Sequence, residues 1–465
     1  MTTTDPTSSA AIVNVLKQRF PGRVEIGHEI RRQHANSVSW LANEPPDVVV
    51  FAEQALDVAD VVRLAREHRI PLVAFGGGTS LEGQVNAPHG GICLDLSRMN
   101  RIVAVHERDL DATVEPGVTR VQLNRYLRDT GLFFPVDPGA ETATLGGMAA
   151  TRASGTNAVR YGTMRDNVVS LTAVLADGSI VRTGGRARKS AAGYDLTRLL
   201  IGSEGTLGII TELTVRLHAI PESVIAAVVP FTSLAGAAEA TMDAIQSGLG
   251  VARIELLDTL QIQAVNLHSR LSLAELPTLF LEFHGSPAAT REQVEAFRAL
   301  AEAAGATSFE MAEHDEDRRR LWQARHDAYW ATRGAWPGRQ TLATDVCVPI
   351  SCLAECIAET EVDIRRLGLL APIVGHVGDG NFHATPVIDT ADPSEMAALE
   401  EFLDRLAARA IAMDGTCTGE HGIGQGKMRY LEREFGAEGV AMMRAIKTAL
   451  DPEGLLNPGK LLPRT

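Results

Sequence analysis

Apolar positions along this chain keep either of two spacings, and each spacing predicts an element. Asp47-Val48-Val49-Val50-Phe51 is a short apolar run and predicts a strand. Val58, Val61, Val62 and Ala65 then recur at the period of a helix, within Leu56 to His68. Pro71-Leu72-Val73-Ala74-Phe75 predicts a second strand. Further on, Val168 to Leu175 and Ile180-Val181-Arg182 flank Asp177-Gly178, the signature of a hairpin turn. Ile209 to Leu217 continues as a strand, and Pro221 marks a boundary. Between residues 222 and 412 the pattern changes: Ala-rich helical stretches (Ala235 to Ser247, Arg291 to Ala304, Pro393 to Met413) alternate with strands such as Val224 to Pro230 and Leu279 to His284. That mixture predicts an α+β domain on an antiparallel sheet. A last helix is expected from Tyr430 to Leu450, stopped by Pro452 and Gly454.

Two regions break the apolar pattern with glycine. The strand ending at Phe75 runs into Gly76-Gly77-Gly78-Thr79-Ser80 and then Gly83. Glycines after a strand let backbone N–H groups approach a pyrophosphate, though a tight surface turn reads the same way. No G-x-G-x-x-G follows, so a Rossmann dinucleotide site is not indicated. The second region holds Pro138, Thr144, Gly146, Gly147, Ser154 and Gly155, then Tyr161-Gly162-Thr163 and, later, Gly202-Ser203-Glu204-Gly205-Thr206-Leu207-Gly208. Side chains this small allow a flat ligand to lie against the backbone.

The chemistry concentrates near the C-terminal end, in Gly375-His376-Val377-Gly378-Asp379-Gly380-Asn381-Phe382-His383 and Gly419-Glu420-His421-Gly422-Ile423-Gly424. His376, His383 and Glu420 suit one divalent metal, Zn²⁺ or Mn²⁺, with a coordination position left for substrate. His421, beside the glutamate, is placed to act as a base on a metal-oriented hydroxyl. The plain alternative is a pair of glycine turns carrying polar side chains, and a non-redox metal module or hydrolase is a competitor from another class. Asp345 and Asp379 read as supporting or turn residues. Gly422 to Lys427 imitates a phosphate loop, but His421 stands where the loop needs its first glycine and Met428 where it needs Ser or Thr.

Composition narrows the classes. A length of 465 residues requires more than one core. With 45% hydrophobic and 22% charged residues the chain folds, and a net charge of −14 speaks against a nucleic-acid partner. Cys93, Cys347, Cys352, Cys356 and Cys417 form neither a disulfide framework nor an iron–sulfur run, which fits reduced thiols in the cytoplasm. Met1 to Phe20 lacks the layout of a signal peptide, and no stretch approaches the roughly 20 apolar residues of a membrane span. Peripheral contact with the inner face of a membrane through a partner, and homodimer formation, stay open.

Pro71 to Gly83, Pro138 to Asp166 and Ser203 to Gly208 together resemble the FAD-binding domain of the vanillyl-alcohol oxidase / p-cresol methylhydroxylase flavoproteins. The two His/Glu segments and Leu450-Asp451-Pro452-Glu453-Gly454-Leu455-Leu456-Asn457-Pro458-Gly459-Lys460 resemble its branch containing D-lactate dehydrogenase (cytochrome), D-2-hydroxyglutarate dehydrogenase and the glycolate oxidase FAD subunit. Trp322 to His326 and Thr344 to Ser351 are most similar to the D-lactate dehydrogenases.

The resemblance spans residues 45 to 462 and implies an α+β fold: a two-subdomain FAD-binding domain (1–221), an α+β cap with an antiparallel sheet (222–412) and a C-terminal segment returning to the FAD domain (413–465). It implies that Gly76, Gly77, Gly78, Thr79 and Ser80 wrap the pyrophosphate. Pro138, Thr144, Gly146, Gly147, Ser154 and Gly155 would line the flavin, Glu204 and Ile210 would lie near the adenosine half, and Asn457 near the isoalloxazine. Ser154 stands where most relatives have a glycine. With no histidine between Phe75 and Gly83, FAD is expected to be non-covalent.

The implied reaction is oxidation of a D-2-hydroxy acid to the 2-keto acid, with His421 taking the hydroxyl proton and the C2 hydride passing to flavin N5. Arg325 would bind the substrate carboxylate, unless it is a surface helix charge, and Asn381 would face substrate or close its own loop. No lysine flanks Thr344, which leans towards D-lactate or a longer monocarboxylate over 2-hydroxyglutarate; glycolate is the nearest competitor. The electron acceptor would be cytochrome c, a quinone or an electron-transfer flavoprotein.

Overall fold

The computed structural model describes residues 6–35, 39–312 and 314–463. Met1–Asp5, the start of the stretch searched for a signal peptide, lie outside them. The chain forms two compact units: 1–154, 162–220 and 420–465 make the first, and 155–161 with 221–419 the second.

The first unit holds two main sheets. One has the order Val24–Glu25, Val48–Phe51, Ile92–Asp95, Leu72–Phe75. Its inner pairs are parallel, Val48 opposite Ile92 and Leu72 opposite Ile92. Parallel strands need a crossover, and helix Ala55–Glu67 supplies it, burying Val58, Val61, Val62 and Ala65. Its acidic first turn and basic last turn suit the helix dipole. The second sheet is antiparallel throughout: Ile102–His106, Asp111–Val114, Ile209–Arg216, Val168–Val174, Ile180–Arg182. The hairpin at Asp177-Gly178 forms where the sequence predicts it; Gly178 has φ +78° and approaches Arg63 too closely for a Cβ.

Each sheet has its own apolar cluster, around Val50, Val61 and Leu94 in the first and Val114, Leu171 and Leu213 in the second. After helix Leu431–Leu450, bent at the non-helical Gly436, the chain lays Leu455–Asn457 along the edge strand. There Leu72 N donates to Leu455 O and Asn457 N to Leu72 O.

The second unit is built on a seven-stranded antiparallel sheet, ordered Glu310–Ala312, Ser223–Pro230, Thr278–Gly285, Val251–Leu257, Ile373–Gly375, Asn381–Ala384, Val346–Cys347. Helices Leu234–Gln246, Pro287–Ala303, Leu353–Leu367 and Pro393–Ala412 bury apolar side chains in its core. Ser233, Ser286 and Asp392 cap the first, second and fourth through side-chain oxygens. The observed class is the expected one: α+β, with one sheet carrying parallel pairs and the larger ones antiparallel. Helix Asp315–His326 is not marked in the sequence, because its run of charged residues carries little apolar periodicity; the eight-residue helix Ala328–Ala335, which buries Ala328, Ala331 and Thr332, follows it.

Candidate active site

In the first unit the two glycine regions meet. A Cβ on Gly76 would stand 2.4 Å from Thr144 Oγ1, and one on Gly77 would stand 2.4 Å from Thr142 O. Contacts that short exist only without side chains, so glycine is required where the loops touch. Gly78 has φ +64° and lies on the Phe75 ring. Thr144 accepts from Gly147 N and starts the short helix Leu145–Thr151; Gly146 is pressed against Pro116. Pro138, Thr79 and Ser154 are half-buried at these loops, while Gly155 is buried in the second unit. Ser80 Oγ is buried and has no hydrogen-bond partner among the described residues. A buried hydroxyl left so is costly unless a ligand meets it, and a pyrophosphate oxygen has the required chemistry. The cradle therefore fits FAD.

Glu204 and Asn457 organise the C-terminal return to this cradle. Glu204, at φ +52°, accepts the backbone N–H groups of Ile423 (2.7 Å) and Gly424 (2.9 Å). Its carboxylate thus faces the segment that carries Glu420 and His421. Burial pushes the Glu204 carboxyl above its ordinary value, against those two N–H groups, Gln84 and the charge of Lys460. Asn457 donates to Glu204 O (2.7 Å) and Gln84 O (3.2 Å). Lys460 donates to Asn86 O and Asn457 Oδ1, and burial lowers its amine to about 7. Gln84 Nε2 donates to His421 O, which fixes the histidine's backbone. His421 Nε2 lies 4.0 Å from Glu420 Oε1. Ile210 is 6% exposed and packs in the apolar cluster of its own sheet. The false phosphate loop is pinned flat: Gln425 N donates to Glu82 O, and Gly424 sits against the same carbonyl.

In the second unit His376 and His383 leave and re-enter neighbouring strands across a tight glycine turn. Gly380, at φ +77°, comes so close to Val348 O that no Cβ fits. The two rings are 5.5 Å apart and nearly perpendicular. His376 Nδ1 bonds both oxygens of Glu255, at 2.7 and 2.9 Å. His383 Nδ1 bonds Thr344 O at 2.7 Å. Each acceptor draws the proton to Nδ1, which leaves the lone pair on Nε2, the arrangement a metal ligand requires. The pair fits a divalent cation. Gly419 is packed against Asn381 and Asp345, so the chain leaves this unit one residue before Glu420.

Asn381 does the loop-closing work of the two roles open to it. Its amide nitrogen donates to Asp345 Oδ1 and Val346 O, both at 2.7 Å, which leaves only the amide oxygen for a substrate. Asp345 is 1% exposed and also accepts from Thr418 Oγ1. Asp379 is an exposed turn residue. Arg325 is not a surface charge: it is 8% exposed, with Nη2 2.5 Å from Glu255 Oε2. Arg325 Nε and Trp322 Nε1, three residues apart on one helix, are both buried with no acceptor among the described residues. Two such donors suit a carboxylate. Glu255, which joins His376 to Arg325, escapes sequence reasoning. Its one signal is an acid inside the apolar strand Val251–Leu257, where it is 0% exposed. All five cysteines are free thiols, and burial raises Cys356 to about 12.

Among known proteins, the family described as "FAD linked oxidases, C-terminal domain" matches residues 220–461, and "FAD binding domain" matches 46–184. The probable mitochondrial D-lactate dehydrogenase of Danio rerio is 52% identical over 95% of this chain and 89% of its own length. The mitochondrial D-lactate dehydrogenase (cytochrome) of Arabidopsis thaliana is 48% identical over 90% and 74%. The solved structure of p-cresol methylhydroxylase with bound substrate superposes with a TM-score of 0.80 at 18% identity, covering 98% of this chain and 97% of that one. Fold, loop contacts and sequence agree: the chain belongs to the FAD-linked oxidase family and groups within it with the D-lactate dehydrogenases (cytochrome).

Proposed function

We propose that this protein oxidises a D-2-hydroxy acid, D-lactate or a longer monocarboxylic homologue, to the 2-keto acid. The observation that carries the reading is the histidine pair, His376 and His383, each held through Nδ1 so that Nε2 keeps its lone pair. The relatives named D-lactate dehydrogenase support the substrate class.

FAD, when bound, supplies the two-electron oxidising chemistry, and a divalent cation, Zn²⁺ or Mn²⁺, supplies Lewis acidity at the substrate oxygens. The chain's own residues do the rest. Gly76 to Ser80, with Thr144, Gly146 and Gly147, hold the cofactor non-covalently. His376, His383 and Glu420 hold the cation; Glu420 follows Gly419, which packs on Asn381 and Asp345. Arg325, with its buried Nε, binds and orients the substrate carboxylate. His421 takes the proton of the 2-hydroxyl, with its backbone fixed by Gln84.

Residues 221–419, with 155–161, act as the cap, and 420–465 return to the flavin domain, seven residues later than the expected start at 413. A cytochrome is the acceptor in this reading, after the relatives' printed name. Free thiols support a reducing compartment such as the cytoplasm, and no described helix is long and apolar enough to cross a membrane.

Anaerobic mixing of the yellow protein with D-lactate and, separately, L-lactate tests this reading. Bleaching of the flavin by the D isomer alone is expected. A flavin that neither isomer bleaches in metal-replete protein moves the substrate to glycolate or a dicarboxylate. A colourless protein rules the redox reading out.

A further inference from the structure

Glu255 sits in the middle of strand Val251–Leu257, opposite Phe280, and its side chain is 1% exposed. A buried carboxylate is costly unless a cation meets it. Arg325 Nη2 does so at 2.5 Å, so the pair is neutral as a whole. The same carboxylate takes His376 Nδ1 on both oxygens. One buried anion thus touches a histidine placed to hold the cation and the arginine placed to hold the substrate.

We infer that Glu255 is a positioning residue for both functions. It fixes His376 in the Nδ1–H tautomer and holds the Arg325 fork so that Nε faces its ligand. The inference rests on the proposed function for its meaning, and its geometry stands apart from that. An amide at this position would have one acceptor oxygen and a donor nitrogen. It could serve His376 or Arg325, but its nitrogen would face a donor on the other.

The test uses FAD-loaded wild type, Glu255→Gln and Arg325→Lys. Zinc affinity is read by competition with a chromophoric chelator, and KM and kcat for D-lactate are read at saturating zinc. Glu255→Gln is expected to weaken zinc about 10–100-fold, the usual effect of losing a ligand's outer partner, and to raise KM even when zinc is restored. Arg325→Lys is expected to raise KM while zinc stays within about twofold of wild type, since His376 keeps its carboxylate.

The wild type gives a check that no variant's folding can confound. ¹⁵N-histidine spectra of the FAD-loaded, zinc-free protein should show His376 as the Nδ1–H tautomer. Zinc affinity unchanged in Glu255→Gln, or His376 found as the Nε2–H tautomer, overturns the inference. Neither readout needs turnover. A wild type that binds zinc in this way but is not reduced by D-lactate sinks the proposed function and leaves Glu255's role standing.

Discussion

The flavin cradle of the first unit and the histidine turn of the second solve opposite problems. The cradle is made by leaving side chains out. Gly76 and Gly77 meet Thr144 and Thr142 at distances no Cβ allows, and recognition falls to backbone and to one buried hydroxyl, Ser80. The histidine turn is made by putting charged side chains in. Glu255, Arg325 and Asp345 are buried; Glu255 holds Arg325 and His376, and Asp345 holds Asn381. Almost any added atom should damage the first. Loss of a specific charged group should damage the second.

The largest effect is expected at the base. His421→Ala should keep FAD and metal yet slow flavin reduction by D-lactate about 10²–10⁴-fold, the usual worth of a general base. Stopped-flow absorbance reads it; near-normal reduction removes His421 from that role. Next is the cradle. Gly77→Ala places a methyl against the Thr142 carbonyl, an overpacking that costs about 1–3 kcal/mol. The protein should fold and lose yellow colour on gel filtration, whereas its zinc content should hold. Gly380→Ala is the mirror experiment. It crowds Val348 O at a positive φ, and should lower metal content while flavin stays bound.

Titration should also separate the two units. Asp258 in the second unit is buried and its carboxyl is raised to about 7, while it accepts the N–H groups of Gln261 and Ile373. The folded form therefore holds a proton that the unfolded chain has lost, and stability falls as pH rises from about 4 to 7. Lys460 in the first unit is lowered to about 7, so there stability rises from pH 7 towards the ordinary lysine range. Asp258→Asn should flatten the first slope and leave the second, by thermal unfolding in a pH series. The smallest effect is expected for Ile210→Val, about 0.5–1.5 kcal/mol of stability, because that side chain packs in the sheet's own core.

The fold was legible wherever periodicity was strong. Ala55–Glu67, the hairpin at Asp177-Gly178 and the alternation after Pro221 all form close to their expected bounds. Helix Asp315–His326 was not, since its charged sequence hides Trp322 and Arg325 among solvent-facing residues. Glycines and histidines marked themselves by type and spacing. Glu255 did not, for a buried acid draws meaning only from partners 70 and 121 positions along the chain. Glu204 adds a partner set that no motif marks: its carboxylate is bonded to Ile423 and Gly424, more than 200 positions along the chain.

The most direct test is chelation. Protein stripped of metal should stay yellow, since the loops of the cradle belong to the first unit and the histidine pair to the second, and its flavin should no longer be reduced by D-lactate under anaerobic conditions. Added Zn²⁺ or Mn²⁺ should restore reduction. A stripped protein that D-lactate bleaches at the untreated rate would contradict the account, and would assign His376, His383 and Glu420 a task other than holding a catalytic cation.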